Sequence, residues 1–320
     1  KDVAPVGPTG GVLNMETDTP VSSGRQRYSP AVLRLAGEHS IDLSHVNGSG
    51  MNGRITRKDV QQAIDQGVAT PEPAPAATQT ALAPAVPGAD EERIPLTPIR
   101  RLIAENMVKS ATLIPQAWTT IEVDVSGLIQ RRQAVRAEFQ EREGINITYL
   151  PFVIKALAES LKENPLLNSS WGGDSIILKK RINIGVAMAT SEGLMVPVIH
   201  DADTLSIAGL AKRVRDLTDR ARRSQLRLED VQGGTFTANN TGVLGSVESK
   251  PLVNYPQAAI MTTEAIVKRP VAINDAIAIR SMMNLCMSFD HRIMDGAEAS
   301  GFINAVKARL EAIGPDTAIY

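Results

Sequence analysis

Nine consecutive residues near the C-terminus, Ser288-Phe289-Asp290-His291-Arg292-Ile293-Met294-Asp295-Gly296, hold a base, two acids, a guanidinium and a glycine. Imidazole is the side chain whose proton affinity lies nearest neutral pH, so His291 is a candidate general base. The run sits where an apolar, strand-like segment (283–289) meets a helical pattern at about 297–312. Such junctions are where α/β enzymes place reactive groups. Asp295 follows His291 by four residues and is expected either to orient the imidazole or to form an ion pair. The ion pair is favoured, with Arg100 or Arg101 as partner. The other histidines are His39 and His45, in a short N-terminal island, and His200, which reads as a loop residue after a strand-like run. Cys286 lies inside the apolar segment and reads as a buried, inert thiol.

Composition narrows the function classes. The 320 residues carry 34 basic and 35 acidic side chains, a net charge of −1, without the basic excess of a general nucleic-acid binder. Aromatic residues are 3%, too few for a surface that stacks on single strands. A single cysteine excludes an intrachain disulfide framework and a multi-cysteine zinc site, and fits a reducing compartment. No apolar run reaches the roughly 18 residues of a membrane span. The chain begins with Lys1 and lacks a signal-peptide pattern, so the expectation is a piece of something longer.

The elements that must position the histidine loop lie in the last of four segments. Residues 1–26, rich in Gly, Pro, Ser and Thr, read as flexible linker. Residues 27–67 form a small island with two helix starts. One is Ser29-Pro30, and the other is Thr56 with Asp59 three residues on, a capping-box variant. A glycine-bearing loop, 48–53, lies between them. So small a unit has little surface for a catalytic cleft and reads as a binding module. Residues 68–92 are an Ala/Pro tract that cannot build a core. Residues 93–320 read as one α/β domain. Helices are expected from Thr97-Pro98, after a Ser126 cap, and around 150–161, 207–217 and 297–312. Strands are expected near 121–125, 182–189, 194–199, 235–238, 258–263 and 283–289.

The motif Asp290-His291-Arg292-x-x-Asp295-Gly296 resembles the signature of the dihydrolipoamide acyltransferase components of 2-oxoacid dehydrogenase complexes. Further segments fit in the same order: Tyr28-Ser29-Pro30-Ala31-Val32 and Gly53-Arg54-Ile55-Thr56-Arg57-Lys58-Asp59-Val60, similar to that family's peripheral subunit-binding domain; Pro98-Ile99-Arg100-Arg101-Leu102-Ile103-Ala104; Ile182-Asn183-Ile184-Gly185; and Gly233-Gly234-Thr235-Phe236-Thr237. The resemblance spans about residues 27–320, and Trp118, Asn239-Asn240-Thr241-Gly242 and Gly245-Ser246-Val247 most resemble bacterial branched-chain members.

The resemblance implies an α/β (α+β) catalytic domain of the CoA-dependent, chloramphenicol acetyltransferase-like type behind a small helical subunit-binding domain. It implies trimers that build a hollow cubic or icosahedral core, with each active site in a channel between subunits. It implies transfer of an acyl group, branched-chain in the first instance and acetyl or succinyl as alternatives, from dihydrolipoamide to CoA. The lipoate would ride on a domain not visible in this chain. By the same resemblance His291 is the base, and Asn239 stands where many relatives carry a serine oxyanion donor. An asparagine amide has two N–H donors and can serve. Arg100 and Arg101 are candidate contacts for CoA phosphates. Arg34, Arg54, Arg57 and Lys58 are the cations left for docking the 2-oxoacid dehydrogenase (decarboxylase) or dihydrolipoamide dehydrogenase subunits, since Leu33 and Gly37 occupy places where relatives often carry arginine. The implied location is the bacterial cytoplasm, with the mitochondrial matrix as alternative. Two other classes stay open: a catalytically inactive scaffold, against which His291 and Asp295 count, and a free-standing antibiotic acetyltransferase, against which the island and the Pro-rich tether count.

Overall fold

The Ser29 hydroxyl accepts from the Val32 N–H at 3.4 Å, and Pro30 opens helix α1 (Pro30–Glu38). The computed structural model describes residues 28–39, 41, 43, 46–65, 90–190 and 193–320. The linker expected over 1–26 and nearly all of the Ala/Pro tract therefore lie outside the described residues. Contacts divide the chain into two compact units, with the boundary between Arg93 and Ile94.

In the first unit α1 packs on α2 (Arg57–Asp65) through Val32, Ala36, Ile55 and Val60. So small an apolar core needs polar reinforcement, and Asp59 supplies it. Its carboxylate accepts from the Ser49 N–H and hydroxyl at 3.0 and 2.6 Å, and from the Thr56 N–H and hydroxyl at 2.8 and 2.9 Å. Those bonds hold the carboxyl far below the ordinary aspartate range, the Ser49 hydroxyl foremost. The capping motif legible at Thr56 and Asp59 is thus also the clasp on the glycine loop.

The second unit opens with α3 (Pro98–Leu113), whose first turn is capped by the Thr97 hydroxyl on the Arg100 N–H at 3.2 Å. It continues through β1 (Gln116–Asp124), α4 (Ser126–Glu143) and α5 (Leu150–Glu163). Two short ribbons follow, β2 (Ser169–Trp171) with β3 (Ile176–Leu178), then β4 (Ile184–Val186), and β5 (Met188–Thr190) with β6 (Gly193–Met195). Next come β7 (Val198–Ile199), α6 (Ile207–Arg222), α7 (Leu228–Val231), β8 (Phe236–Asn240) and β9 (Ala259–Thr263). The hairpin β10 (Val267–Ile273) and β11 (Ala276–Asp290), then α8 (Gly296–Glu311), complete the unit.

Seven strands form one mixed sheet in the order β1-β11-β9-β8-β4-β7, with β10 added to β11. β8 runs parallel to β4 and β9, and the other pairs are antiparallel. Central β4 and β9 are buried along their whole length, as strands covered on both faces should be. Helices α5, α6 and α8 contribute Phe152, Ile154, Leu157, Leu210, Leu217, Phe302 and Val306 to the core, and the rings of Phe236 and Phe302 lie 5.6 Å apart.

Several expectations need correction. Ser126 does not cap α4. It is the first helical residue; Asp124 takes its N–H at 2.9 Å, and its own hydroxyl accepts from the Ser281 N–H at 3.0 Å, because the strand pairing beside it leaves that amide to satisfy. Ile99, Leu102, Ile103 and Met107, spaced along one face of α3, join no core cluster among the described residues, and Leu102 is 69% exposed. The β10–β11 hairpin escaped prediction although Asn274 and Asp275, both at positive φ, mark its tight turn. β10 contains Pro270 and, among the described residues, pairs with β11 alone, and an edge strand tolerates proline.

Candidate active site

β11 delivers His291. The strand ends at Asp290, and the His291 N–H donates to the Pro115 carbonyl at 3.0 Å, fastening the turn to the start of β1. Asp290 is 1% exposed, and a charge so placed demands a partner. Arg292 provides a bidentate one, Nε to Oδ1 at 2.9 Å and Nη2 to Oδ2 at 2.6 Å, while its guanidinium lies 5.0 Å from the Trp171 ring centroid. The Asp290 carboxylate in turn raises the Arg292 pKa further. The two residues flanking His291 are therefore locked to each other. The imidazole between them is exposed, in ring contact with Phe289 at 5.8 Å.

Asp295 does not form the expected ion pair with Arg100 or Arg101. It is the N-cap of α8: its Oδ1 accepts the Ala297 N–H at 2.8 Å, and Glu298 reaches back to the Asp295 N–H at 3.2 Å. Helix capping takes the carboxylate because the chain turns into α8 at this residue. Hydrogen bonding with Glu298, then with the Ala297 amide, lowers its pKa, and the neighbouring His291 charge adds to that. A carboxylate that senses the imidazole is thus held in place by a helix start.

Asn239 lies on β8, half-buried, and lines a cleft of about 620 Å³ with Tyr149, Met188, Leu194, Val214 and Leu244. Its side chain makes no hydrogen bond among the described residues. Arg132 and Arg222 also line this cleft. Nothing in the sequence pointed to them beyond their place in charged helices. The register places Asn239 opposite Thr262 and Thr262 opposite Cys286, and His291 is five residues beyond Cys286. At about 3.3 Å per residue and 4.8 Å per strand, Asn239 and His291 are roughly 19 Å apart within one chain.

Arg100 and Arg101 are exposed on α3, and the Arg100 guanidinium lies beside Gly193; neither is brought to His291 or into the Asn239 cleft. In the first unit Arg34 is engaged with Glu38 at 3.1 Å, whereas Arg54, Arg57 and Lys58 are exposed and make no ion pair among the described residues. His200 contacts the Glu229 carbonyl at 3.1 Å, and Cys286 is buried, as expected of a loop histidine and an inert thiol. The described residues contain no cluster suited to a metal ion and no helix long and apolar enough to cross a membrane.

The model of the 2-oxoacid dehydrogenases acyltransferase catalytic domain matches residues 88–317, and that of the E3 binding domain matches residues 27–61. The chain belongs to the 2-oxoacid dehydrogenase acyltransferase family. It is 48% identical over 312 residues to the lipoamide acyltransferase component of the branched-chain alpha-keto acid dehydrogenase complex of Bacillus subtilis, covering 92% of this chain and 73% of that one. The structure of a probable dihydrolipoamide acetyltransferase from Listeria monocytogenes superposes with a TM-score of 0.72 at 49% identity, covering 73% of this chain and all of that one. The dihydrolipoamide acetyltransferase of Azotobacter vinelandii superposes with a TM-score of 0.68 at 33% identity, covering 72% and 98%. In that enzyme a serine, a histidine and an asparagine four residues after the histidine have a role in the catalytic mechanism. His291 and Asp295 reproduce that spacing with an aspartate. The fold class and the acyltransferase activity expected from the sequence are those of the family.

Proposed function

We propose that this acyltransferase moves branched-chain acyl groups from dihydrolipoamide to CoA, in a site that His291 of one subunit and Asn239 of another build together. A thiol is mostly protonated near neutral pH. His291 takes the proton from the CoA thiol as sulfur attacks the thioester carbonyl. The Asn239 amide donates to the tetrahedral oxyanion, a contribution of about 10²–10³ in rate for a donor of this kind. Collapse expels the dihydrolipoamide sulfur, which receives the proton back from His291. Asp295 holds negative charge near the imidazole, and the Asp290–Arg292 pair fixes the turn.

The observation that carries this proposal is the separation of the two groups. Each is presented to the surface or a cleft by a rigid strand, yet roughly 19 Å of sheet divides them. A second copy is what can bring them together, and the exposed apolar face of α3 is a surface such a copy could cover. A cyclic trimer, which then builds the hollow core, satisfies every subunit at once. The cleft beside Asn239, with Arg132 and Arg222 on its walls, suits a long anionic thiol substrate such as CoA. Arg54, Arg57 and Lys58 are the cations free to dock acidic faces of dihydrolipoamide dehydrogenase or of the decarboxylase. The identity to the Bacillus subtilis component over nearly the whole chain supports the branched-chain assignment.

The test is a steady-state assay comparing isobutyryl, isovaleryl, acetyl and succinyl thioesters by kcat/KM. Preference for the branched groups is expected; preference for acetyl or succinyl overturns the acyl assignment. No turnover from assembled protein overturns the enzyme in favour of a scaffold. One methylene is worth only about 1–3 kcal/mol of discrimination, so ratios of roughly ten to a hundred are the scale to look for.

A further inference from the structure

Glu264 follows the last residue of β9 and is 2% exposed. A carboxylate so far from water is costly unless its oxygens are satisfied. Three hydroxyls satisfy it: Thr241 at 2.7 Å, Ser249 at 2.6 Å and Thr262 at 2.7 Å. Burial pushes the carboxyl up, and the hydrogen bonds from Ser249, Thr241 and Thr262 more than offset this, leaving it below the ordinary glutamate value. The group is therefore a charged hub, and no step of the proposed transfer uses it directly.

Its partners surround Asn239. Thr262 is the residue opposite Asn239 on β9. Thr241 follows Asn239 by two residues, and its N–H also donates to the Thr263 carbonyl at 3.1 Å. Thr237, two residues before Asn239, is buried and donates to the Gln257 side chain at 2.6 Å. The two-residue period of a strand puts 237 and 239 on one side, and Thr241 lies just past the end of β8, where the backbone turns. The outer two are hooked to fixed groups, and the middle one is left free to donate. Gly242 then runs so close over the Glu264 backbone that no Cβ would fit.

We propose that Glu264 is a positioning residue for acyl transfer: by holding the hydroxyls of Thr241 and Thr262, it sets the end of β8 so that the Asn239 amide meets the oxyanion. The inference rests on Asn239 being that donor. A displacement near 1 Å at a reacting centre costs on the order of 10²-fold in rate, so a loosened strand end is enough to slow turnover.

The experiment is a double-mutant cycle on the assembled enzyme with Glu264→Gln and Asn239→Ala, reading kcat, the KM for CoA and the sedimentation of the core. Glu264→Gln is expected to lower kcat roughly 10- to 100-fold with the KM for CoA within about twofold, and to cause no further loss in the Asn239→Ala background. Equal losses in both backgrounds, or a change in KM alone, overturn the inference while leaving Asn239 as donor. An Asn239→Ala enzyme with the parent rate overturns the donor assignment and the inference together. Should Glu264→Gln fail to assemble, Thr241→Val, which removes one hydroxyl and leaves the carboxylate two partners, carries the same cycle with the same criteria.

Discussion

Mixing two dead enzymes should make a live one. His291→Ala removes the base, a loss of typically 10²–10⁴ in rate, and Asn239→Ala removes the donor, a loss of about 10²–10³. The register of β8, β9 and β11 holds these residues roughly 19 Å apart in one chain, so the proposed site draws them from two subunits. When the variants are co-expressed in equal amounts with different tags and assemble at random, a site works only where an Asn239→Ala subunit lends its His291 to a His291→Ala neighbour. In a ring of head-to-tail contacts each condition is met half the time, so about a quarter of the sites are restored. Transfer of isobutyryl groups to CoA, normalised to protein purified through both tags, should reach about a quarter of the parent rate against a background below one per cent. Mixed assemblies no faster than the separate variants, with both tags present in the same particles, would refute the shared site and the sheet geometry behind it.

Two further outcomes follow from single side chains. Asp295→Asn should keep turnover within about threefold, since asparagine caps as well as aspartate, whereas Asp295→Ala should lose about tenfold by freeing the His291 turn from α8; equal rates for the two would sink the capping account. Asp59 links pH to the first unit. Its folded carboxyl is held well below the unfolded value of about 4, so the stability it lends is complete above that pH and is lost as pH falls through the lower folded value. Asp59→Ala should therefore strip hydrogen-exchange protection from amides 57–65 at neutral pH and abolish docking of the dehydrogenase subunits, and unchanged protection would show that the Ser49 and Thr56 bonds are dispensable.

Much of the fold was legible because its signals are local. Ser29-Pro30, Thr97-Pro98 and Thr56 with Asp59 each announced a helix through a hydroxyl or carboxylate that satisfies free N–H groups. α5 and α6 showed their buried stripes in the spacing of Val153, Ile154, Leu157 and Leu161 and of Ile207, Leu210 and Leu217. The failures were tertiary. Whether Pro270 breaks a strand depends on whether that strand lies at an edge, and whether the apolar side of α3 is core depends on what else packs there. Glu264 gave no signal at all, because a glutamate after a run of threonines reads as a surface residue until the strands bring Thr241 and Ser249 to it.

By itself the sequence determined which chemistry is available. Side-chain type sets proton affinity and donor count, so His291 was legible as a candidate base, while Asn239 became a candidate amide donor only through the family resemblance. It also determined the order of the units and the caps that start their helices, since those interactions close within a few residues. Only the tertiary structure decided where that chemistry can happen. Sheet register is a long-range property, and it separates His291 from Asn239, turns Asp295 from an arginine partner into a helix cap, and buries Glu264 among hydroxyls. Residues far apart in the chain meet, or fail to meet, according to strand order, which no local motif encodes.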